Sequence, residues 1–549
     1  MNGSTFSGLT SEQFMKKPTN EPILEYKKGS KEREALEKAL EEFANKTTDV
    51  PLRIGTEKIT RNLDKNQVMP FDHKKVLARY TYATADDIKH AIEVGLAARG
   101  KWERLPLKQR VEIFLKAADL CAGKYRMALN ATTMLGQGKN IVQAEIDAAC
   151  ELIDFFRFNS YFALQLEKYE PISTESSKNS LVYRGLEGFV AAIAPFNFTA
   201  IGGNLSGAPA IIGNVVLWKP SDTAVLSNYI IYQILEEAGL PPGIISFLPA
   251  DGPTFGNTVC SNSNLAAINF TGSVPTFEYI WRKVAENLGN YTTFPKLIGE
   301  CGGKNFHFVH PSADLTSVVI GTLRSAYEYQ GQKCSACSRL FIPESLWPKF
   351  LEEFSKLHKE IKVGSVQDGS IFMSAVIDDK AFARIKAYID HAKSGADGAK
   401  VILGGTYDDS VGYFVQPTLI RVTDFKSKLL TEEIFGPVLS AYVYPDAEAE
   451  TLVTKIKDAT KFGLTGAVFS QDKVFLQKAT DILRDATGNL YLNDKSTGSV
   501  VGQQPFGGAR KSGTNDKAGG PHYLLRFASP LTIKETFVPL KEWRYKSMD

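Results

Sequence analysis

One cysteine in the sequence has the surroundings that a nucleophile requires. Cys334 lies in the stretch Gly331–Arg339, where small and polar residues flank the thiol. A thiol attacks as its thiolate, and a free cysteine has a pKa of roughly 8.5, so a reactive cysteine depends on a helix N-terminus, a nearby cation or a base. We therefore predict that Cys334 is a nucleophile and that other segments complete its site.

Three further segments carry groups that suit a nucleophilic cysteine. Asn197, in Pro195–Phe198, has a side-chain amide that can donate to an oxyanion, a contact whose loss typically costs about 10²–10³ in rate. Glu300, which precedes a pair of glycines, is the candidate general base for a water molecule. We interpret the third segment, Phe270–Ser273, as the start of a turn that binds a cofactor.

The cysteines predict neither a metal site nor a disulfide framework. The six cysteines are scattered along the chain, which is typical of a reducing compartment. Cys334 and Cys337 form a CxxC pair, but a zinc site needs a second pair or two spaced histidines, and the sequence has neither. A thioredoxin-like redox pair is the alternative, although its βαβ context is missing. We expect Cys301 and Cys337 to be packing residues.

Composition and charge limit the classes of partner. The chain has 549 residues, too many for one hydrophobic core, so we expect two or three domains. The net charge is +3, and no run of lysine and arginine is long enough for a nucleic-acid or membrane surface. The uncharged stretch 188–218 is interrupted by proline, glycine and asparagine, which argues against a membrane helix. The expected partner is a small-molecule substrate.

The N-terminal residues lack a clear targeting signal. Residues before about Glu21 are polar and predict a poorly ordered tail. The first thirty residues contain no arginine and include Glu12, Glu21 and Glu25. That composition fits neither a signal peptide nor an arginine-rich transit peptide.

Hydrophobic periodicity predicts helices first and strand–helix alternation afterwards. The helical patterns cover residues 31–45, 85–99, 108–122 and 141–166. Residues 66–83 predict a pair of strands. From residue 188 onward short apolar strands alternate with helices, and a second such region runs from 305 to about 493. Alternation of this kind is typical of α/β proteins with parallel sheets and helices on both faces.

The predicted architecture suits a dinucleotide, but the usual fingerprint is absent. No GxGxxG follows a strand and opens a helix, and no GxxxxGK[ST] occurs. We therefore place the phosphate-contacting turn after the strand that ends near Phe270, where backbone amides would open the next helix. The residues of this turn are Gly272, Ser273, Val274, Pro275 and Thr276.

Seven short motifs occur in one order along most of the chain. They are Pro195–Asn197, Lys219–Ser221, Phe270–Ser273, Glu300–Lys304, Gly331–Cys334, Glu432–Pro437 and Pro505–Gly508. Together they resemble the NAD(P)-dependent aldehyde dehydrogenase superfamily from about residue 60 to 540. The resemblance implies an aldehyde dehydrogenase fold, with a Rossmann-like NAD-binding domain, an α/β catalytic domain and a β-flap for oligomerisation.

The resemblance implies that the chain divides into five segments. Residues 21–168 form the first part of the NAD-binding domain with N-terminal helices, 169–187 an oligomerisation hairpin, 188–303 the second part of the NAD-binding domain, 304–508 the catalytic domain, and 509–549 a C-terminal segment with an oligomerisation strand. The stretch 529–539 is expected to pair with the hairpin.

The resemblance also implies roles around the cofactor. Cys334 would form a hemithioacetal, hydride would pass to NAD, and Glu300 would activate the water that hydrolyses the thioester. The implied cofactor residues are Lys219 and Glu433 at the two ribose hydroxyls, Ser221 near the position of a 2′-phosphate, and Phe435 beside the nicotinamide. Glu433 favours NAD over NADP. Phe277 replaces a glycine that many members have, so the pyrophosphate is expected to sit differently.

Four stretches are similar to the branch of the family that oxidises L-glutamate γ-semialdehyde, which forms by ring opening of 1-pyrroline-5-carboxylate. They are residues 196–204, 272–276, 331–337 and 493–508. The implied substrate residues are Ser335, Gly498 and Ser499 for the α-carboxylate, Phe198 and Phe506 for the aliphatic stem, and Glu151 for the α-ammonium. The implied reaction is the second step of proline breakdown.

Two alternatives stay open on the sequence. One is another semialdehyde dehydrogenase, for example for succinate semialdehyde, which lacks an α-amino group. The other is an inactive structural relative, against which the presence of Cys334, Glu300 and Asn197 argues. The resemblance also implies a homodimer or higher homo-oligomer. It implies the mitochondrial matrix, with import through an atypical segment Met1–Lys17 or a trimmed chain, and a cytoplasmic location is the alternative.

Overall fold

Two seven-stranded sheets, one in each half of the chain, carry most of the secondary structure. The computed structural model describes residues 16–548. The strands of the first half are β1 (Thr48–Val50), β2 (Leu52–Ile54), β3 (Glu57–Ile59), β4 (Lys65–Met69), β5 (Asp72–Tyr80), β6 (Ser177–Gly185), β7 (Phe189–Ile193), β8 (Val215–Lys219), β9 (Ile245–Phe247), β10 (Leu265–Thr271) and β11 (Lys296–Glu300). The helices are α1 (Lys31–Ala44), α2 (Ala85–Arg104), α3 (Leu107–Ala122), α4 (Arg126–Gln137), α5 (Ile141–Ala144), α6 (Leu152–Leu166), α7 (Thr199–Ile212), α8 (Val225–Ala238), α9 (Gly252–Ser261) and α10 (Val274–Glu286), and a π-helical stretch, Glu145–Glu151, joins α5 to α6.

The second half has the same alternation of strands and helices. Its strands are β12 (Asn305–Val309), β13 (Cys337–Pro343), β14 (Lys400–Leu403), β15 (Tyr407–Asp408), β16 (Phe414–Val415), β17 (Thr418–Arg421), β18 (Val438–Tyr444), β19 (Phe462–Gly463), β20 (Thr465–Phe469), β21 (Asn489–Leu492), β22 (Ala509–Arg510) and β23 (Ala528–Thr536). Its helices are α11 (Leu315–Tyr327), α12 (Trp347–Glu360), α13 (Asp379–Lys393), α14 (Lys428–Thr431), α15 (Ala449–Asp458), α16 (Lys473–Leu483) and α17 (Pro521–Leu525).

The first sheet has the order β11-β10-β7-β8-β9-β2-β3. The pairs from β11 to β9 are parallel, and β2 and β3 add an antiparallel hairpin at one edge. The central strands are runs of apolar residues such as Phe189–Ile193, because helices cover both faces of a parallel sheet. The predicted parallel sheet is confirmed, whereas its edge hairpin is an element that the sequence did not reveal.

The second sheet has the order β14-β17-β18-β13-β12-β20-β21 and is parallel except for the edge pair β14 and β17. The strands predicted in this region, at 305–309, 339–342, 401–403 and 439–443, all fall within observed strands. The order places β18 beside β13 and β20 beside β12, so residues that are far apart in the sequence meet in the middle of this sheet.

The helices that precede the first sheet confirm the predicted helical layer, with one addition. The patterns at 31–45, 85–99 and 108–122 coincide with α1, α2 and α3, and β4 pairs with β5 as expected. The sequence did not predict α4. Its residues from Leu129 to Gln137 are all buried, including threonine, asparagine and glutamine, so no apolar stripe marks the helix.

Strands β6 and β23 form a separate two-stranded sheet, which we call the flap. Nine antiparallel residue pairs, from Ala528–Gly185 to Thr536–Ser177, join them. The predicted pairing of the C-terminal stretch with this region is therefore confirmed. Within 169–187 the structure has one long strand and a short bridge between Thr174 and Ser177, so the second long strand of the flap comes from the C-terminus.

A buried charge network fixes the N-terminal segment Asn20–Tyr26 to the helical layer. Arg126, on α4, pairs with Glu21 at 2.6 Å and with Glu145 at 2.5 Å, and Glu145 accepts from the Tyr26 hydroxyl at 2.8 Å. The Asn20 amide donates to Asp154 at 2.8 Å. The prediction of a poorly ordered tail is thus wrong at Asn20, because buried polar groups hold this residue. Most of that predicted tail, residues 1–15, lies outside the described residues.

The network predicts a stability effect for Arg126→Met. The substitution leaves the Glu145 carboxylate buried without its cation, and breaking a buried pair in this way costs about 3–5 kcal/mol of unfolding free energy. Urea unfolding followed by circular dichroism measures the change. The control is Lys124→Met, which removes an exposed pair with Glu237 and should leave the unfolding midpoint unchanged. Equal midpoints for both variants would contradict the assigned role of Arg126.

Candidate active site

A cavity of about 300 Å³ lies where the ends of β10 and β11 face loops of the second half. Of the residues predicted from the sequence, it is lined by Glu151, Phe198, Glu300, Cys334, Ser335, Gly498, Ser499 and Phe506. A smaller adjoining pocket is lined by Glu433 and Phe435 together with the main chain around Gly303 and Cys337. Ligands of α/β proteins bind at the carboxyl ends of parallel strands, so the cavity has the expected position.

A strained turn leads into Cys334. Tyr329, Gln330 and Gly331 have φ values of 53°, 57° and 65°, three consecutive left-handed residues. Glycine is required at 331, since a Cβ atom there would lie 2.2 Å from the Gly436 carbonyl oxygen. The Gln330 side chain holds the turn by donating to the Gly138 and Ala375 carbonyls at 2.9 and 2.8 Å.

Asn305, whose role sequence reasoning missed, holds the nucleophile loop, residues 331–336. It lies at the start of β12, is buried, and donates from one amide nitrogen to the Cys334 carbonyl at 2.6 Å and the Ala336 carbonyl at 2.9 Å. Its oxygen accepts from the Thr465 N–H at 3.0 Å. A polar residue at the start of an apolar strand was the available signal.

Asn197 lies beside the same loop, as the oxyanion prediction requires. Its buried amide nitrogen donates to the Gln332 carbonyl at 3.2 Å, two residues before Cys334. An amide nitrogen carries two hydrogens, so a second donor is left for an acceptor near the thiol. The preceding residue, Phe196, is held by the Gln137 amide at 2.7 Å.

The resting Cys334 thiol is protonated at neutral pH. Burial raises its pKa well above the usual range, and the carboxylates of Glu300, Glu433 and Glu151 raise it further. Of the activators expected from the sequence, the surroundings thus offer a base, because the charged groups that contribute to the shift in pKa are carboxylates and not cations. Attack therefore requires that the thiol proton move to a neighbouring group.

Glu300 is the neighbouring carboxylate best placed for proton transfer. It is the last residue of β11 and accepts from the Gly508 N–H at 3.1 Å. Burial raises the pKa of Glu300 to about 8, while the Gly508 hydrogen bond and the charge of Lys517 oppose the rise. A carboxyl group with this pKa can take up and release a proton near neutral pH.

A buried ion pair supports the Phe198 wall of the cavity. Lys139 and Asp147, both fully buried, lie 2.8 Å apart, and Asp147 also accepts from the Thr199 and Ala200 N–H groups at 2.9 Å each. Asp147 thereby satisfies donors at the start of α7. The Lys139 ammonium lies 3.8 Å from the centre of the Phe198 ring. The sequence analysis missed both charges, although Asp147 interrupts an apolar helical pattern.

Glu151 faces the cavity from the end of the π-helical stretch. Burial and then the Asp147 charge raise its pKa to about 8, and Lys139 and Lys333 partly oppose the rise. No ion pair within 4 Å involves Glu151 among residues 16–548. A cation entering the cavity would therefore find an unpaired carboxyl group there.

The residues predicted to bind a carboxylate lie together. The Ser335 hydroxyl donates to the Thr497 hydroxyl at 2.8 Å, and the Ser496 hydroxyl donates to the Ser335 carbonyl at 3.2 Å. These bonds join the nucleophile loop to the loop that carries Gly498 and Ser499. Gly498 has a φ of 94°, a left-handed conformation that favours glycine.

The predicted cofactor turn has the strand–turn–helix geometry expected of it. The Gly272 N–H donates to the Glu300 carbonyl at 3.1 Å, and the Ser273 hydroxyl accepts from the Thr276 N–H at 3.3 Å as the N-cap of α10. Val274 and Pro275 begin the helix. Phe277 points into the protein, where its ring stacks on Phe270 with centroids 5.3 Å apart. The phenylalanine therefore fills the space behind the turn rather than the turn itself.

Of the four other predicted cofactor residues, two lie in the first half of the chain and two in the second. Lys219 ends β8, where burial lowers its pKa, and its ammonium donates to the Pro220 carbonyl at 3.3 Å. The Ser221 hydroxyl lies 3.3 Å from the Thr223 hydroxyl. Glu433 accepts from the Gly303 N–H at 2.8 Å, and burial raises its pKa to about 7. Phe435 has a φ of 57°, and its ring lies 5.9 Å from that of Phe196.

Residues 16–548 contain neither a cluster of metal-ligating side chains nor a helix that could span a membrane. No group of three or more histidine, cysteine, aspartate and glutamate side chains there could hold a metal ion. No helix in this part of the chain is long and apolar enough to cross a membrane. The six cysteines are all free thiols, and five of them, including Cys301 and Cys337, are buried.

A sequence profile of the aldehyde dehydrogenase family matches residues 60–533. The chain belongs to the aldehyde dehydrogenase family. The chain is 58% identical over 533 residues to the mitochondrial delta-1-pyrroline-5-carboxylate dehydrogenase of Mus musculus, covering 97% of this chain and 95% of that protein. It is likewise 58% identical over 533 residues to the mitochondrial enzyme of the same name from Homo sapiens, covering 97% and 94%.

Solved structures of family members have the same fold. The delta-pyrroline-5-carboxylate dehydrogenase of Mycobacterium tuberculosis bound with NAD matches with a TM-score of 0.93 and 44% identity over 100% of both chains. The 1-pyrroline-5-carboxylate dehydrogenase from Thermus with bound NAD matches with a TM-score of 0.88 and 33% identity over 95% of this chain and 99% of that chain. The predicted fold class and family are therefore confirmed.

The raised pKa of Glu300 predicts the pH dependence of this aldehyde dehydrogenase. A base must be ionised to act, so kcat/KM for an aldehyde that does not titrate, such as propanal, should rise with pH and reach half its maximum near pH 8. Glu300→Gln should lower kcat about 10²–10⁴-fold and remove that rise. The exposed Glu352→Gln serves as the control. A Glu300→Gln profile with the wild-type midpoint would assign the ionisation to another group.

Proposed function

We propose that the protein is an NAD-dependent dehydrogenase that oxidises L-glutamate γ-semialdehyde, formed from 1-pyrroline-5-carboxylate, to L-glutamate in proline degradation. The observation that carries this proposal is one cavity with a thiol and a base at one end and groups for an amino acid at the other. The 58% identity to enzymes named for this substrate supports it.

The predicted cofactor residues in the two halves of the chain fit NAD. The start of α10 follows a parallel strand and suits a pyrophosphate. The Lys219 ammonium donates to the Pro220 carbonyl and has further hydrogens that suit a ribose hydroxyl. Glu433 can accept from the other ribose, and Phe435 can pack against the nicotinamide. NAD, when bound, supplies the acceptor for the hydride. The solved relatives with NAD support this choice of cofactor.

Cys334 and Glu300 divide the oxidation into two easier steps. As the Cys334 sulfur bonds to the aldehyde carbon, the thiol proton leaves to the nearby base. The Asn197 amide and the Cys334 N–H stabilise the resulting oxyanion. Loss of the hydride from that carbon leaves a thioester. Glu300 releases the thiol proton to solvent and then takes a proton from water as the water oxygen bonds to the thioester carbon. The C–S bond breaks, the sulfur takes that proton from Glu300 to become a thiol, and the acid is released.

The far end of the cavity suits the amino-acid part of the substrate. Backbone N–H groups at Gly498 and Ser499 can bind the α-carboxylate, since small residues leave the main chain accessible. The Ser335 hydroxyl can add a hydrogen bond by turning its proton from Thr497 to the carboxylate. Glu151 can pair with the α-ammonium, which would lower the raised pKa of its carboxyl group. Succinate semialdehyde has no ammonium, so it would leave Glu151 buried and unpaired, and the geometry does not favour that substrate.

The first test compares three substrates. The kcat/KM for NADH formation should be much higher with 1-pyrroline-5-carboxylate than with succinate semialdehyde or propanal. The Cys334→Ala variant should lose activity with all three substrates. Ser345→Ala, an exposed change outside both pockets, is the control. Equal or higher kcat/KM with succinate semialdehyde would refute the amino-acid site, and activity that survives in Cys334→Ala would refute the nucleophile.

We also infer that the flap joins two copies of the chain. A two-stranded sheet alone is marginally stable, and both outer edges of this one are unpaired in the described chain. Leu531 and Ile533 are 39% and 44% exposed, and Val182, which is paired with Leu531, is 43% exposed. A second copy that covers these apolar side chains would bury them.

The double substitution Leu531→Asp and Ile533→Asp should therefore produce monomers. Charges at these positions would have to be buried without partners, which opposes association. Sedimentation velocity measures the mass of wild type and variant at equal concentration. Val474→Asp changes an apolar residue that is 78% exposed on α16 and should leave the assembly intact. A wild-type monomer, or an unchanged mass in the double variant, would refute the role of the flap.

The mitochondrial matrix is the proposed location. It is supported by the mitochondrial designation of the relatives from Mus musculus, Homo sapiens and Danio rerio. Imaging of the chain with a C-terminal fluorescent fusion, beside a matrix marker, tests the proposal.

A further inference from the structure

Four cationic side chains line the cavity, and three of them either pair with a carboxylate or donate every ammonium hydrogen within the protein. Glu328 accepts from Arg324 at 2.6 Å and from Lys333 at 2.9 Å. The Lys517 ammonium uses all three of its hydrogens, donating to oxygens of Gly488, Asn489 and Gly507 at 2.6–3.1 Å. These groups shape the cavity wall through bonds within the protein.

Lys495 is the exception among the four. Its ammonium donates to the Thr497 carbonyl at 3.0 Å. Within residues 16–548 it makes no other hydrogen bond, so its one acceptor is an uncharged oxygen. No carboxylate in that part of the chain lies within 4 Å of it. An ammonium has three donors, so two N–H groups of the half-buried Lys495 are left for a ligand.

The position of this ammonium is defined by Gly498. A Cβ atom added to Gly498 would lie 2.8 Å from the Lys495 nitrogen, so the ammonium lies against the Gly498 main chain. The left-handed conformation at Gly498 and the Thr497 contact hold the charge beside the amides of Gly498 and Ser499. A carboxylate bound to those amides would be within reach of the cation.

We propose that Lys495 is the residue that selects substrates by their carboxylate charge. The inference rests on the proposed function, because it assigns the charged partner of the substrate α-carboxylate. Backbone amides donate hydrogen bonds to neutral and anionic oxygens alike, whereas an ammonium favours the anion. Lys495 thus adds a charge requirement to a site otherwise made of neutral donors.

The test is the KM of Lys495→Met for 1-pyrroline-5-carboxylate and for propanal. Methionine keeps an unbranched stem and removes the charge, so KM for the carboxylate substrate should rise about 10–100-fold, as expected for loss of a charged hydrogen bond. Values of kcat should stay within about threefold, and KM for propanal should change much less. Lys495→Arg should restore a low KM for the carboxylate substrate.

Two further measurements separate charge recognition from a structural role. Added salt should raise the wild-type KM for 1-pyrroline-5-carboxylate, because ions screen the attraction, and should affect Lys495→Met less. The exposed Lys473→Met controls for loss of one positive charge from the protein. A wild type without preference for 1-pyrroline-5-carboxylate would refute the proposed function and, with it, this role of Lys495. A wild-type preference together with an unchanged KM in Lys495→Met, or with equal losses for both substrates, would refute the role of Lys495 alone.

Discussion

The left-handed turn that presents Cys334 is the constraint on which the rest of the site depends. Non-glycine residues in this conformation cost about 1–3 kcal/mol each, and Tyr329 and Gln330 both adopt it. The Gln330 side chain offsets that cost by binding backbone groups of Gly138 and Ala375, which belong to different halves of the chain. The thiol is therefore positioned only when the helical layer and the loop at Ala375 in the second half have come together.

Three carboxyl groups that have no ion-pair partner within residues 16–548 act on the Cys334 thiol. Burial raises the pKa of Glu151 and Glu300 to about 8 and that of Glu433 to about 7, and all three raise the pKa of the Cys334 thiol. Such a site has room for positive charge and can exchange protons near neutral pH. The proposed ligands supply that charge, as an α-ammonium beside Glu151 and an oxidised nicotinamide ring on the Glu433 side.

Polar groups outside the predicted reacting residues support the walls of the cavity. Asp147 satisfies the start of α7, and Lys139 pairs with it beneath the Phe198 ring. Asn20 donates to the Val501 carbonyl at 2.8 Å and accepts from the Gln503 amide at 2.8 Å, so the N-terminal segment braces the loop after Ser499. Buried polar groups require partners, and each of these bonds therefore restricts the position of a cavity wall.

The sequence by itself determined the α/β class, the parallel sheets, the family and the nucleophile, base and cofactor-turn candidates, because apolar runs and short motifs are local features. It did not reveal α4, whose buried threonine and asparagine residues hide the helical stripe, or the partners Asn305, Lys139 and Asn20. Tertiary structure alone decided these, since a buried amide or charge acquires its role from residues that are distant in the chain. It also decided that Phe277 packs behind the predicted cofactor turn, and that Lys495 has neither a carboxylate within 4 Å nor three acceptors within residues 16–548.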